Sequence, residues 1–277
     1  MYRVKKALNH NTLIAVSMKD NREYLLIGKG IGFGKKVSER LEAPENCTIY
    51  SLQEQTERGD ALDLVKSLDP VYLEIAEKVL KESEKVFEHI DWSILFPMAD
   101  HIAFAVSRIR EGKQISNPLT GDIQVLFYKE YKTAECIRPI LKHMLKVDID
   151  EHEIGYIALH IHSAIDNENV SLSMQIAGAV RECIQMVENA TGQKIDVMSL
   201  SYNRLMNHVR YMVARAVKGE KLKVNMNDYM AVKFPETYEL SCSICQELAK
   251  KLHKPIDDVE VGYLAMHIGR VVEDMKE

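Results

Sequence analysis

The chain has 277 residues, of which 46% are hydrophobic, and this predicts a globular protein of two or three domains with a core in each. It opens MYRVKKALNH, without the apolar stretch of a secretory signal, and no later segment approaches the roughly 18 uninterrupted apolar residues of a membrane span. Five cysteines, an odd number without framework spacing, favour reduced thiols over disulfides. We therefore expect a cytoplasmic protein without membrane insertion.

The formal net charge of −5 is unevenly distributed along the chain. Residues 1–36 hold eight lysines and arginines against two acidic residues, whereas the remainder holds 28 basic and 39 acidic residues. Basic density on a short segment predicts a surface for a polyanion, and an acidic body would confine nucleic acid to that end. The alternative is an ordinary solvated face of charged residues.

The first 52 residues have the pattern of strands and turns. The runs Val4 to Leu8, Thr12 to Met18, Tyr24 to Ile27 and Thr48 to Leu52 are aliphatic or β-branched, and Asn-rich or Gly-rich segments separate them. A small antiparallel sheet follows from this pattern. Because about 50 residues are marginal for independent stability, we expect the module to pair with its copy in a homodimer.

The sequence turns polar between Gln53 and Lys66, which predicts a linker, and everything after it has helical patterning. Gly112 and Gly219, 107 residues apart, predict the ends of two corresponding helices. These features predict two sequential helical bundles of roughly 105 residues each. We expect helices near 69–90, 97–111, 122–146 and 150–166, and again near 172–191, 199–218, 228–253 and 257–275.

A repeat at an offset of 107 residues keeps four histidines in register. EIGYIALHI at 153–161 matches EVGYLAMHI at 260–268, and DHIAFAVSR at 100–108 matches NHVRYMVAR at 207–215. His101 therefore corresponds to His208, and His160 corresponds to His267. None of the other six histidines in the chain has a counterpart at this offset. A single histidine beside an apolar stripe is usually structural, but two registered pairs favour a chemical role.

Metal ligation, acid/base catalysis and acceptance of a phosphoryl group are the chemical options for these rings. A neutral imidazole is a good nucleophile near pH 7, and its phosphorylation adds about −1.5 to −2 charges. Arg108 and Arg215 follow His101 and His208 by seven residues, two turns along one helix face, and are candidates to pair with the added phosphate.

The metal patterns are incomplete. His152-Glu153 begins like a zincin helix, but Tyr156 stands where the second histidine is needed. The second repeat has Gly269 where the first has His162, and the solitary Cys242-Ser-Ile-Cys245 favours a buried thiol pair. We predict no metal site and no cofactor.

The glycine-rich stretch from Gly28 to Gly34 does not fit a nucleotide-binding loop, because Phe33 stands where a dinucleotide fingerprint needs glycine. Alternating glycines beside Lys29, Lys35 and Lys36 allow the close approach of a backbone, while cations bind phosphates and Phe33 offers a ring for stacking. A glycine-rich turn with Phe33 in the core is the alternative, and the pattern does not decide between the two.

These motifs resemble the BglG/LicT/SacY family of bacterial transcriptional antiterminators over the whole chain. KKALNHN at 5–11 and IGKGIGFGKK at 27–36 resemble the co-antiterminator (CAT) RNA-binding domain, and the latter is most similar to the GlcT branch. The two repeats resemble tandem phosphotransferase system (PTS) regulation domains, or PRDs. The expected fold is a small all-β antiparallel RNA-binding domain followed by two all-α helical bundles. The expected domains are CAT at 1–56, a linker at 57–66, PRD1 at 67–169 and PRD2 at 170–277.

The resemblance implies a dimer that binds a hairpin in a leader mRNA and so prevents an overlapping terminator from forming. It assigns the RNA contacts to Lys6, Asn9, Asn11, Gly28, Lys29 and Phe33. His10 and Lys29 depart from the asparagine and arginine of many relatives, and lysine lacks the planar fork of arginine.

The resemblance also implies phosphorylation of His101, His160, His208 and His267 by the phosphocarrier HPr and the EIIB component of a sugar permease. In the GlcT branch, which serves glucose transport genes, inhibition would fall on His101 and His160. The chain would be a phosphoacceptor and not an enzyme.

Two other functions match parts of the sequence. A DNA-binding activator with the same regulatory domains would need a helix-turn-helix near the start, and the β-rich opening argues against it. A metal-dependent hydrolase would use His152, His160 and His162, and stoichiometric zinc in the purified protein would favour it.

Overall fold

The computed structural model describes residues 1–44, 46–52, 65, 67–113, 115–166, 169–196 and 199–275, together with the backbone pairing of 55–56 with 59–60. The chain forms two compact units. The first is drawn from residues 1–117 and 127–168, and the second from residues 118–126 and 169–277. Among the described residues, no helix is long and apolar enough to cross a membrane.

The first unit begins with a five-stranded antiparallel sheet in the order β4-β1-β2-β3-β5. One face covers a small core whose fully buried members are Val4, Leu13, Ala15 and Leu26. The predicted all-β module is confirmed, although the sequence did not reveal the two-residue edge strand β4. The strands are β1 (Tyr2–Ala7), β2 (Thr12–Ser17), β3 (Glu23–Ile27), β4 (Arg40–Leu41) and β5 (Thr48–Ser51), and β6 (Gln55–Thr56) pairs separately with β7 (Gly59–Asp60).

Helices follow the sheet in the first unit. Asp69 caps the first helix by accepting a hydrogen bond from the Val71 N–H, and Pro70 occupies the first helical position, where its missing N–H costs nothing. Gly112 lies at φ +69° just after the second helix, as its position in the repeat predicts. The helices are α1 (Pro70–Glu84), a 3-10 turn (Trp92–Ile94), α2 (Leu95–Arg110), α4 (Tyr128–Ala134), α5 (Ile137–Leu145) and α6 (Glu151–Asp166).

The second unit is a helical bundle. Asn169 and Ser199 cap its two long helices through their side chains, and Gly219 ends the second of these at φ +70°, as predicted. Its core includes Ile176, Leu205, Met212 and Leu264. The helices are α3 (Thr120–Leu126), α7 (Val170–Thr191), α8 (Leu200–Lys218), α9 (Asn227–Lys233), α10 (Pro235–Leu252) and α11 (Val259–Asp274).

Two predicted long helices are each divided. The predicted helix 228–253 breaks at Phe234 (φ −138°, ψ 60°), because the residue before a proline is held out of the helical conformation. The predicted helix 122–146 is three short helices, with a non-helical residue at Phe127 (φ −118°, ψ 47°). The predicted linker from 57 to 66 falls mostly outside the described residues.

Candidate functional site

His101 and His160, the first pair of registered histidines, lie together between α2 and α6. Their ring centroids are 5.3 Å apart, and the ring of Tyr156 lies 5.3 Å from that of His101. Glu153 completes the cluster: its Oε2 is 3.2 Å from Nε2 of His101, and its Oε1 accepts a hydrogen bond of 2.7 Å from Nη2 of Arg108. The two registered histidines of this unit are therefore neighbours in space.

The helical repeat explains this arrangement. His101 and Arg108 are seven residues apart on α2, and Glu153 and His160 are seven apart on α6, so each pair lies two turns apart on one face. Met98 and Ile102, beside His101, are buried in the core. The apolar stripe of α2 packs inward and leaves its histidine at the edge of the helix interface.

The second unit repeats the same cluster between α8 and α11. The rings of His208 and His267 are 4.8 Å apart and nearly parallel, at 27°. Glu260 accepts hydrogen bonds from Nε of Arg215 at 2.6 Å and from Nη2 at 2.9 Å, and its Oε2 lies 3.6 Å from Nε2 of His208. Tyr263 stacks on His208 at 6.2 Å, in the place that Tyr156 has in the first unit. Both halves thus carry the same five side chains.

Burial keeps the second cluster neutral at its histidines. Desolvation, followed by the charges of His267 and Arg215, lowers the pKa of His208 to about 3. Glu260 acts in the opposite direction, but its charge is already neutralised by Arg215, so we expect the lowering to prevail. Desolvation also lowers the pKa of His267, with Arg270 and Arg204 adding to the effect. A neutral imidazole is the form that attacks phosphorus.

The carboxylate of Glu153 is held as an anion despite its burial. Burial alone would raise its pKa, but hydrogen bonding and charge from His101 and Arg108 outweigh that effect and lower it. With only 1% of its side chain exposed, this carboxylate is a fixed negative charge beside the histidine pair.

Glu153 and Glu260 were not predicted to belong to the histidine clusters. Both are the first letter of the registered motif, EIGYIALHI and EVGYLAMHI, so their place in the repeat was a signal that could have found them. Arg108 and Arg215, predicted as partners for phosphate, are instead paired with these glutamates here. Their role toward phosphate stays a prediction, and it requires each arginine to change partner.

The predicted RNA-contact residues gather at one end of the sheet. Lys6, Lys29 and Phe33 are exposed, and Phe33, at 68% exposure, lies edge-on to the ring of His10 with centroids 5.1 Å apart. The alternative of a core Phe33 is therefore wrong. Gly28 is partly exposed and packs against Cys47. Asn9 and Asn11 are partly exposed and donate their amides to Glu74 of α1.

The loop that carries these residues depends on one close approach. A Cβ added at Gly32 would lie 2.1 Å from the carbonyl oxygen of Asn9, so only glycine fits where the loop crosses the turn between β1 and β2. The Gly32 N–H donates to the carbonyl of His10 at 2.9 Å. The glycines thus hold Lys29 and Phe33 beside the two asparagines.

The residues of the rival metal site point to different neighbours. The His160 ring faces His101, whereas His162 is fully buried on another side of α6, with Nδ1 3.0 Å from Oε1 of Glu130. In the part of the chain that the structure describes, no group of three or more His, Cys, Asp or Glu residues could hold a metal ion. Cys245 is buried, and desolvation raises the pKa of its thiol to about 12.

Comparisons with known proteins agree with this arrangement. A model of the CAT RNA binding domain matches residues 2–59, and a model of the PRD domain matches residues 77–164 and 181–271. The chain is 32% identical to Protein GlcT of Staphylococcus saprophyticus over 99% of this chain and 98% of that protein. It is 31% identical to the PtsGHI operon antiterminator of Bacillus subtilis, over 98% and 97% of the two chains.

One solved structure is also similar. The crystal structure of GlcT CAT-PRDI is 34% identical and covers 60% of this chain and 99% of its own, with a TM-score of 0.52. The chain therefore belongs to the BglG/LicT/SacY family of PTS-regulated transcriptional antiterminators, in its GlcT branch, with a CAT RNA-binding domain followed by two PRD domains.

Proposed function

We propose that the chain binds a leader-mRNA hairpin as a homodimer, through Lys6, Asn9, Asn11, Gly28, Lys29 and Phe33, and so prevents a terminator from forming. This proposal is supported by the position of the side chains. An exposed aromatic ring, two exposed cations and two side-chain amides lie together at one end of the sheet, beside the glycine-rich loop. Amides and stacking rings read the unpaired bases of bulges and loops, since the deep groove of paired RNA excludes side chains. Such a protein acts on nascent transcripts in the cytoplasm.

Its regulation follows from the duplicated cluster, which is the observation that carries the proposal. Each unit sets two histidines beside a buried glutamate that is paired with an arginine. In the reaction, the bond between phosphorus and the donor side chain breaks, the donor leaves with the electron pair, and a P–N bond forms at the unprotonated nitrogen of one of these rings. The product places about −1.5 to −2 charges beside an existing carboxylate. Repulsion then favours transfer of the arginine from glutamate to phosphate.

The donors and the sugar are proposed from the family. HPr and a permease EIIB component phosphorylate His101, His160, His208 and His267, and phosphate on His101 or His160 inhibits. The curated relatives are named for GlcT and for the ptsGHI operon, which supports glucose or a related PTS sugar. When transport drains phosphate from EIIB, the inhibitory phosphate is lost and the RNA-binding dimer forms. The chain is thus a phosphoacceptor and not an enzyme.

Phosphoryl transfer in vitro tests this directly. The intact chain is incubated with phosphoenolpyruvate, enzyme I, HPr and the glucose-specific EIIB, and the labelled residues are mapped by mass spectrometry under conditions that preserve phosphohistidine. Label is expected on the four registered histidines and absent from His89 and His143, which are exposed but have no counterpart at the repeat offset. Label only at exposed histidines outside the clusters would contradict the proposal.

A further inference from the structure

The amide groups of Asn9 and Asn11 are held in one orientation by the loop around them. Oδ1 of Asn9 accepts a hydrogen bond of 2.8 Å from the N–H of Asn11, and Oδ1 of Asn11 accepts one of 2.9 Å from the N–H of Gly30. Because each carbonyl oxygen is bound to a backbone donor, neither amide can turn over without losing a hydrogen bond. Both NH2 groups are therefore fixed as outward-facing donors.

The two NH2 groups converge on one carboxylate. Nδ2 of Asn9 donates to Oε1 of Glu74 at 2.6 Å, and Nδ2 of Asn11 donates to Oε2 at 3.1 Å. Each oxygen of the carboxylate thus takes one amide, and only 9% of Glu74 is exposed. Hydrogen bonds to a charged acceptor are the stronger class, and each contributes more than a neutral bond does.

A second carboxylate on α1 also forms a hydrogen bond with the sheet. Oε1 of Glu77, one turn after Glu74, accepts a hydrogen bond of 2.5 Å from Oγ1 of Thr48 on β5. Beside it, the ring of Tyr50 lies 5.7 Å from Trp92 and 6.4 Å from Phe96. The contact of Glu74 with the asparagines therefore belongs to a packed junction between the sheet and the first helices.

Two fixed amide donors at this spacing form a receptor for a group with two acceptor oxygens. A carboxylate satisfies it, and so do the oxygens of an RNA phosphate or the acceptor atoms of unpaired bases. The donors cannot bond both partners at once. RNA that uses these amides must displace Glu74.

We propose that the Asn9–Asn11 amide pair is a receptor for acceptor atoms of RNA and that Glu74 of the first regulatory domain fills it as an internal competitor. The inference rests on the proposed RNA function of these asparagines. It adds that RNA binding requires the Glu74 carboxylate to leave the two amides. Since α1 packs along α2, which carries His101, the competitor lies on the helix next to the first histidine pair.

RNA affinity of the intact, unphosphorylated chain tests the competitor. The probe is a labelled transcript of the leader of the Bacillus subtilis ptsGHI operon, and the variants are Glu74→Ala and Glu82→Ala. Glu82 lies on the same helix but pairs with Lys85, so its variant changes the net charge equally without touching the sheet. We expect Glu74→Ala to bind about tenfold more tightly than the parent, which corresponds to roughly 1.4 kcal/mol. Glu82→Ala should bind as the parent does.

The variant Asn11→Ala distinguishes failure of the competitor from failure of the proposed RNA surface. If Asn11→Ala weakens binding but Glu74→Ala leaves it unchanged, the asparagine reads RNA and the competitor is overturned. If Asn11→Ala has no effect in the parent or in Glu74→Ala, the proposed RNA surface fails as well. Equal tightening by Glu74→Ala and Glu82→Ala would reduce the effect to net charge and overturn the competitor. Glu74→Gln, which keeps the size and one acceptor, should lie between Glu74→Ala and the parent.

Discussion

A pair of histidines packed beside a buried carboxylate that is paired with an arginine is the recurring unit of this protein. Glu153 and Glu260 are almost fully buried, and each is compensated by an arginine, so neither carboxylate can leave without exposing an unpaired charge. In the proposed function, phosphorylation of a ring beside such a carboxylate would place a second negative charge next to the first.

Titration of His208 provides one prediction. Its folded pKa, about 3, lies below the value near 6.5 of an unfolded chain, so the folded protein binds fewer protons. The contribution to stability is complete above about pH 6.5 and is lost as the pH falls toward 3, by roughly 1.4 kcal/mol per unit. NMR of the ring protons should show no titration of His208 between pH 8 and 5. A midpoint near 6.5 would refute the buried, neutral state.

The two arginines provide a second prediction. Arg215 donates two hydrogen bonds to Glu260, whereas Arg108 donates one to Glu153, which also has His101 within 3.2 Å. Removing Arg215 leaves a buried carboxylate with little compensation, so Arg215→Ala should lower the free energy of unfolding by about 3 kcal/mol. Arg108→Ala should cost roughly half of that. Urea denaturation of both variants measures these changes in the free energy of unfolding. A larger loss for Arg108→Ala than for Arg215→Ala would contradict the assigned partners.

The registered histidines could be predicted from the sequence because duplication marks residues that packing alone does not preserve. Their meeting across two helices was not predicted, because the repeat relates one unit to the other and only the packing of the helices brings the two histidines of a unit together. The partners of Arg108 and Arg215 could not be predicted in the same way. An arginine seven residues from a histidine matches a phosphate site and a buried ion pair equally well, and only the packing of α6 and α11 brings the glutamates close.

Among the elements, α11 depends on one glycine that permits a close approach. A Cβ at Gly262 would lie 2.7 Å from Oδ1 and 2.9 Å from the backbone nitrogen of Asn227. The Gly262 N–H donates a hydrogen bond to that Oδ1. We expect Gly262→Ala to destabilise the second unit by about 2 kcal/mol through overpacking. Gly269→Ala on the same helix meets no atom within 4 Å and should stabilise it by up to about 1 kcal/mol.

Thermal unfolding of the two glycine variants checks this contrast. The two substitutions add the same methyl group to the same helix, so their difference isolates the contact with Asn227. Equal melting temperatures for Gly262→Ala and Gly269→Ala would show that α11 does not pack as described.

The helices were predicted well where the apolar periodicity was strong. They were predicted poorly where the same periodicity continued across a residue that interrupts the helix. The stripe around His208 continues without interruption, and α8 has the expected length. The pattern from 228 to 253 also continues, but Pro235 holds Phe234 out of helical geometry. Edge strand β4 has only two residues, too few for an alternating pattern, and it forms because β1 offers an open edge.

For the whole molecule, the proposed control by the first regulatory domain predicts a phenotype. The double variant His101→Ala/His160→Ala lacks both proposed acceptors of the inhibitory phosphate, so transcription should read through a ptsGHI leader terminator without sugar, at least about fivefold above the parent. A reporter gene behind that leader measures it. The matched control is His89→Ala/His143→Ala, two exposed histidines outside the clusters. A double variant that stays as inducible as the parent would remove these residues from the negative switch.

The order of modules could be predicted from the sequence, because each module carries its own motif and the repeat has one offset. The division of the chain into compact units could not be predicted from the sequence. Residues 118–126 lie within the expected PRD1 but group with the second unit, where α3 packs on α7. The bond between Asn9 and Glu74 spans 65 residues, and neither local pattern nor repeat marks such a contact.

The most direct test of the account is the affinity of the intact chain for the ptsGHI leader RNA before and after phosphoryl transfer from glucose-specific EIIB. The double variant His101→Ala/His160→Ala is measured in parallel. Phosphorylation should weaken binding of the parent at least about tenfold, roughly 1.4 kcal/mol, and leave the double variant unchanged. Undiminished affinity of a parent chain that carries phosphate on His101 or His160 would contradict the claim that charge at the duplicated histidines controls RNA binding.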